Sequence, residues 1–107
     1  MIIHEIVYSR RFDRDFSAIL RYIRTEASPL VADRIRDQIF DTIETLGDNP
    51  ERYPSEPRLA HLGNYRVINM RKAPYKIFYR IAGTQIRMER IFHSKRDFKR
   101  IFRRFKF

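Results

Sequence analysis

The stretch Tyr75-Lys76-Ile77-Phe78-Tyr79-Arg80-Ile81 decides the fold of this chain. Its odd-numbered positions carry only tyrosine and isoleucine, so an extended strand here has one face that is apolar or aromatic throughout. Lys76 and Arg80 occupy the other face, with Phe78 between them. The stretch therefore predicts a strand of a sheet with one face on a hydrophobic core.

Two similar runs flank this strand. Tyr65–Met70 precedes it and Ile86–Phe92 follows it, and the segments Ala73-Pro74 and Ala82-Gly83-Thr84 separate the runs as turns. The three runs predict a meandering antiparallel sheet over residues 64–92.

The last run does not alternate cleanly. Ile86 and Met88 share one parity, whereas Ile91 has the other. This pattern predicts either a β-bulge or a strand that is buried on both faces.

Helical periodicity precedes the strands. Apolar residues recur at helical spacing from Phe12 to Ile23 and again from Ala32 to Leu46. Ser9 is the expected N-cap of a helix over residues 10–26, and Ser28-Pro29 is the expected start of the second helix. Gly47 is expected to end that helix in the left-handed conformation. Because the joint is short, the segment 10–46 should form an antiparallel hairpin on one face of the sheet.

The ends of the chain complete an α+β fold, expected to be a single domain over residues 1–107. Residues 2–7 predict an edge strand. Residues 95–106 predict a short basic helix with an apolar stripe formed by Phe98, Ile101, Phe102 and Phe105. The stripe can pack on the sheet, be covered or displaced by a partner helix, or lie on an anionic membrane surface.

The net charge of +10 is unevenly distributed. Residues 1–56 contain 8 Lys/Arg and 11 Asp/Glu, whereas residues 57–107 contain 15 and 2. A one-sided excess of positive charge favours a polyanion or an acidic protein as partner.

Several chemistries have no sequence signal. The chain has no cysteine and only 3 glycines, and His4, His61 and His93 lack metal-ligand spacing. We therefore expect no metal site and no cofactor. The sequence shows neither a signal peptide nor an apolar run of about 20 residues, which predicts a soluble cytoplasmic protein without membrane contact.

A series of motifs follows in a fixed order along the chain. They are Phe16, Ile19, Tyr22 and Ile23 in the first helix, Asn49-Pro50 and Pro54 after the hairpin, Leu62-Gly63-Asn64-Tyr65-Arg66-Val67, the Tyr75–Ile81 stretch, and Ile91-Phe92-His93-Ser94-Lys95-Arg96-Asp97. In this order and spacing the chain resembles the RelE/ParE toxin superfamily, from Ile6 to about Phe98.

The resemblance implies the toxin of a type II toxin–antitoxin module of the plasmid-stabilisation or addiction type, which inhibits growth. RelE-like and YoeB-like members cleave messenger RNA in the ribosomal A site, whereas ParE-like members poison DNA gyrase. The implied partners are a cognate acidic antitoxin and either gyrase or the ribosome with its messenger RNA. A homodimer and a toxin–antitoxin heterotetramer both remain open.

A metal-independent ribonuclease needs a base, a cation and an acid around one phosphate. On the YoeB-like pattern, Glu56 matches the glutamate, Lys76 stands in place of an arginine, and His93 matches the histidine. The lysine loses the bidentate phosphate fork, and Ser94 stands where that pattern has a tyrosine. On the RelE-like pattern the catalytic tyrosine falls at Phe102, which has no hydroxyl.

Basic residues of the strands and turns are the candidates for target binding. They are Arg66, Arg71, Lys76, Arg80 and Arg96. We expect Lys76, Arg80, Arg66 and His93 to point toward one basic surface, because they come from neighbouring strands and the turn beyond them. The cations Lys76, Arg80, Arg66 and Arg71 have no acid nearby in the sequence and would repel one another unless an anion binds. The apolar stripe of the tail is the candidate for antitoxin binding.

The sequence thus predicts a ParE-like toxin with gyrase as its target, favoured by the long first helices and by the Ile19-x-x-Tyr22-Ile23 and Asn49-Pro50-x-x-x-Pro54 features. The first alternative is a ribosome-dependent messenger RNA endoribonuclease that uses Glu56, Lys76 and His93. The second is a non-toxic basic module that binds nucleic acid.

Overall fold

The protein has the predicted order of elements. A computed structural model describes residues 4–103 and residue 107. The elements are β1 (Glu5–Tyr8), α1 (Arg10–Glu26), α2 (Pro29–Glu44), β2 (Tyr65–Asn69), β3 (Tyr75–Ala82), β4 (Gln85–His93) and α3 (Phe98–Arg103), with 3-10 turns at Thr45–Gly47 and Pro57–Leu59. Among the described residues, no helix has the length and apolar character needed to span a membrane.

The four strands form one sheet in the order β1-β4-β3-β2. Strands β2, β3 and β4 form the predicted antiparallel meander. Strand β1 lies at the predicted edge but runs parallel to β4, with Glu5 opposite Gln85, so the sheet is mixed. Parallel neighbours need a long crossover, which the helices and the following strands supply. Ile2 and Ile3 of the predicted strand lie outside the described residues.

The helical hairpin packs on one face of the sheet, as predicted. Both helices begin at the expected caps: the Ser9 hydroxyl accepts the Phe12 N–H at 3.0 Å, and the Ser28 hydroxyl accepts the Val31 N–H at 3.1 Å. The core under the helices contains Phe12, Ile39, Ile43, Leu46, Ile68, Ala73, Tyr75, Ile77, Tyr79, Ile86, Met88 and Ile91.

The end of α2 differs from the prediction at Gly47. Instead of a left-handed residue that stops the helix, α2 tightens into the 3-10 turn Thr45–Gly47, and Asp48 keeps right-handed helical angles. This turn places Leu46 in the core with no exposed surface. Because the backbone keeps right-handed angles where it leaves α2, no left-handed residue is needed there.

A β-bulge in β4 accounts for the broken alternation of its apolar residues. Phe78 pairs with Arg90 and Tyr79 pairs with Met88, which leaves Glu89 as the extra residue. The bulge brings Ile91 to the same core as Met88, while Phe92 faces the opposite side of the sheet. Both alternatives drawn from the sequence therefore apply to the same strand.

Two side chains of the N-terminal segment hold β4 on either side of this bulge. The Ser9 hydroxyl donates to the Glu89 carbonyl at 2.9 Å. The Asp15 carboxylate accepts the Ile91 N–H at 3.1 Å and the Arg90 Nε at 2.7 Å. Asp15 thus covers an edge of β4 that the short β1 does not reach, and this edge would otherwise present an unpaired N–H.

We predict that Ser9→Ala destabilises the fold more than Ser28→Ala does. Both changes remove an N-cap, which costs roughly 1 kcal/mol, and only Ser9 also donates to the bulge. Urea denaturation should give losses in the free energy of unfolding of about 2 and about 1 kcal/mol, respectively. Equal losses would show that the bulge does not depend on the Ser9 hydroxyl.

Asp15→Ala should lower the free energy of unfolding by roughly 2–4 kcal/mol, because it leaves the Arg90 guanidinium without its counter-charge and the Ile91 N–H without an acceptor. The exposed Asp41→Ala on α2 is the control and should stay within about 0.5 kcal/mol of the parent chain. Adding Arg90→Met to Asp15→Ala should recover part of the loss. A loss similar to that of the control would contradict a clamp at this edge.

Candidate functional site

The face of the sheet opposite the helices carries a second hydrophobic cluster. It contains Leu59, Tyr65, Val67, Phe78, Phe92, Phe98, Ile101, Phe102 and Phe107. The Phe78 ring is central, with the Phe92, Phe98, Phe102 and Phe107 centroids between 5.1 and 6.1 Å from its own. Helix α3 covers this cluster, so the sheet is buried on both faces.

Five cations lie over the rings of this cluster. The pairs are Arg58 over Phe102 (4.8 Å), Lys76 over Phe98 (4.8 Å), Arg80 over Tyr65 (5.7 Å), and Arg90 and Arg96 over Phe92 (4.4 and 5.6 Å). Each charge is attracted to a ring face, and each stem shields apolar surface. We call these five cations and the aromatic residues of the cluster the aromatic–cation face.

The Glu89 carboxylate is the acidic group at one side of this face. It accepts from the Arg80 Nε at 3.4 Å and from the Arg87 Nε at 3.2 Å. Its side chain is only 16% exposed, whereas Arg80 and Arg87 are 36% and 42% exposed. One partly buried carboxylate thus orders two guanidinium groups that remain accessible from outside.

Arg66 lies on the other side of the sheet. Its strand partner is Tyr79, which belongs to the core under the helices. An Arg66 guanidinium nitrogen (NH1) donates to the carbonyls of Glu51 at 3.1 Å and Tyr53 at 2.6 Å. The side chain therefore anchors the proline-containing loop, and its predicted contact with a target remains a prediction.

Tyr79 anchors the same loop from β3. Its phenol donates to the Pro50 carbonyl at 2.6 Å. Burial raises the pKa of Tyr79 to about 12. The phenol stays protonated throughout the physiological range, so this anchor does not depend on pH there.

His93 also lies away from Lys76. It ends β4 opposite Tyr75, with the two ring centroids 5.7 Å apart. Its Nδ1 accepts the Lys95 N–H at 3.1 Å, and the side chain is exposed. The imidazole thus stabilises the turn after β4.

The expectation that Lys76, Arg80, Arg66 and His93 point toward one basic surface is wrong for Arg66 and His93. Lys76 and Arg80 pair with Phe92 and Tyr65, which belong to the aromatic–cation face. Arg66 and His93 pair with Tyr79 and Tyr75, which belong to the helix-covered core. Direct partners in a sheet point to the same face, so the four side chains divide between the two faces.

Glu56 is also separated from His93. The Glu56 N–H donates to the Tyr65 carbonyl, and Tyr65 pairs with Arg80, whereas His93 pairs with Tyr75. Five residues along β3 correspond to roughly 17 Å. The Glu56 carboxylate is 9% exposed and accepts two hydrogen bonds from Arg58, at 2.5 and 3.1 Å. The candidate nuclease residues Glu56, Lys76 and His93 are therefore not brought together.

Arg71 lies apart from the other target-binding candidates. It lines a cavity of about 360 Å³ between the end of α2 and the turn after β2, together with Gln38, Tyr53 and Met70. The Gln38 Oε1 is buried without a hydrogen-bond partner among the described residues. The cavity thus combines apolar walls with a cation at its rim.

The antitoxin-binding candidates are covered by the chain itself. Phe98, Ile101 and Phe102 are buried in the cluster under α3, while Phe105 lies outside the described residues. The Asp97 carboxylate caps α3 by accepting the Arg100 N–H at 3.1 Å. A partner reaches these three side chains only if α3 moves, so their role in antitoxin binding stays a prediction.

The sequence interpretation missed Arg58, Arg87 and Arg90. Arg90 follows the bulge. Strict alternation along β4 would place it on the helix-covered face of the sheet, whereas it lies on the aromatic–cation face with its partner Phe78. Arg58 lies in the 3-10 turn after Glu56, where no periodic pattern indicates its direction. The run without acids from Pro57 to Met88 contains Arg58 and Arg87, but it does not single out individual residues.

Comparison with known proteins identifies a family that this chain matches. A family model described as the ParE toxin of the type II toxin–antitoxin system parDE matches residues 6–98. No match was found among curated protein sequences.

A solved structure has the same fold. It is described as the chromosomal ParDE toxin–antitoxin system from P. aeruginosa, and it superposes with a TM-score of 0.76 at 17% sequence identity. The match covers 89% of this chain and 100% of that one. Because the family model covers most of the chain, this protein belongs to the ParE toxin family of type II toxin–antitoxin systems.

Proposed function

We propose that this toxin arrests growth by binding DNA gyrase in the cytoplasm, as part of a plasmid-stabilisation type of module. The observation that carries the proposal is the separation of Glu56, Lys76 and His93. Lys76 lies on one face of the sheet, and Glu56 and His93 lie roughly 17 Å apart along β3. Residues this far apart cannot surround one phosphate, whereas binding to a protein requires only a surface.

The aromatic–cation face is the surface that we assign to this binding. Arginine and aromatic residues are enriched in the parts of protein interfaces that carry the binding energy. Lys76, Arg80 and Arg96 lie over rings that hold their stems in place. Ordering these side chains before binding reduces the entropy lost on association.

The same face is where we expect the acidic antitoxin. The described part of α3 has 6 residues, and packing of its apolar side chains holds it in place. An antitoxin segment that carries apolar and acidic side chains can cover α3 or take its place while it pairs with the surrounding cations. A homodimer and a toxin–antitoxin heterotetramer are both compatible with such a contact.

The growth assay separates only the non-toxic module from this proposal, and the ends of messenger RNA separate the ribonuclease. No contact described above favours the ribonuclease that uses Glu56, Lys76 and His93. A non-toxic module that binds nucleic acid predicts no growth arrest when the chain is expressed alone.

The double variant Glu56→Gln/His93→Gln should still arrest growth, because His93 lies away from the proposed surface and a glutamine at position 56 still offers Arg58 a hydrogen-bond acceptor. Lys76→Gln/Arg96→Gln, which alters that surface, should lower toxicity at equal expression. Growth, supercoiling by purified gyrase and the ends of messenger RNA are measured in parallel. Loss of toxicity in the first variant, together with fewer cleaved messages, would instead establish the ribonuclease.

Lys76→Glu/Arg96→Glu should weaken binding of the antitoxin encoded beside the toxin by roughly tenfold or more, because two attractive charges at the rim become repulsive. The control Arg34→Glu changes an exposed residue of α2 and should alter the dissociation constant by less than about twofold. Titration calorimetry gives both constants. If the two variants bind alike, the antitoxin does not use this face.

A further inference from the structure

Four arginines form a stripe along α1. Arg10, Arg14, Arg21 and Arg24 are all exposed. At 100° per residue they fall within an arc of about 80°, and at 1.5 Å per residue they extend over roughly 21 Å. We call these four residues the α1 arginine stripe.

The stripe points away from the protein. The opposite side of α1 carries Phe12, Phe16, Ile19 and Ile23, which pack against the core under the helices. The positions between the arginines on the exposed side include Ser17 and Ala18, which are small and exposed. These small side chains leave the exposed side of α1 open between the arginines.

The four charges are not neutralised within the described part of the chain. None of them forms an ion pair or hydrogen bond there, in contrast to Arg80, Arg87 and Arg90. Asp13 borders the stripe without an ion pair, and the nearby Asp15 carboxylate is held by Arg90. Like charges at this spacing repel one another, and an external anion relieves that repulsion.

We propose that the α1 arginine stripe binds the phosphate backbone of double-stranded DNA without reading its sequence. Each strand of a duplex presents a phosphate every 3.4 Å along the axis, so a stripe of roughly 21 Å faces about six phosphates of one strand. The planar guanidinium fork matches phosphate oxygens. Contacts of this kind position a protein on DNA and carry no base information.

An acidic protein segment fits the stripe less well. Protein interfaces gain affinity from buried apolar and aromatic anchors at their centre. The arc of the stripe offers none, because the apolar residues of α1 face the core. The binding is therefore electrostatic and strongly dependent on salt, which is the behaviour of a phosphate-backbone contact.

The test measures binding of the full chain to a 20-base-pair DNA duplex of arbitrary sequence as a function of salt. Four phosphate contacts contribute up to about 3.6 to the slope of log K against log salt. Arg10→Gln/Arg14→Gln/Arg21→Gln/Arg24→Gln should lose about that much of the slope. Replacing the same four arginines by lysine should retain it, which shows that the effect is one of charge.

The matched control is Lys72→Gln/Lys95→Gln/Lys99→Gln/Arg100→Gln, which removes the same charge from exposed positions elsewhere. It should lose less than one unit of slope. Equal losses in the two glutamine variants would overturn the proposal and assign the binding to net charge. Displacement of the duplex by polyglutamate at equal charge concentration would overturn it in favour of an acidic protein, and circular dichroism confirms that each variant is folded.

Discussion

The bulge at Glu89 is the constraint on which the rest of the structure depends. Strand β4 lies between β1 and β3 and must supply apolar residues to both faces of the sheet. Without an extra residue, Ile91 would leave the core that Met88 occupies. The Ser9 hydroxyl bonds to the bulge and also caps α1, so one side chain links the start of the helical hairpin to the irregular point of the sheet.

Because the sheet is buried on both faces, one face supports the fold and the other is left for binding. The long helices cover one face with a core that provides most of the fold, and Tyr79 and Arg66 use that side to hold the following loop. Among the described residues, the other face is covered by α3, Phe107 and Leu59 of the 3-10 turn, and its margin is cationic. A thin cover over an apolar surface can change without disturbing the core on the opposite side.

Features that depend on residues close together in the chain could be predicted from the sequence. The bounds of α1, both serine caps and the antiparallel meander followed from periodicity and capping. The direction of β1 and the position of the bulge depend on pairing between distant segments, and the sequence therefore left them open. The faces of Arg66 and His93 were misjudged because alternation within one strand does not tell which parity its neighbour adopts. The α1 arginine stripe does not show in the net charge of the first half of the chain, because the acids of α2 offset its positive charge.

The loop after α2 is held through its main chain. Arg66 and Tyr79 bind the main-chain carbonyls of Glu51, Tyr53 and Pro50, which every amino acid possesses. A loop fastened through its backbone keeps its course when its surface residues are exchanged. Exposed positions of this segment such as Glu51 and Arg52 can therefore be exchanged at little cost in stability, whereas Tyr53 also packs against the core and cannot.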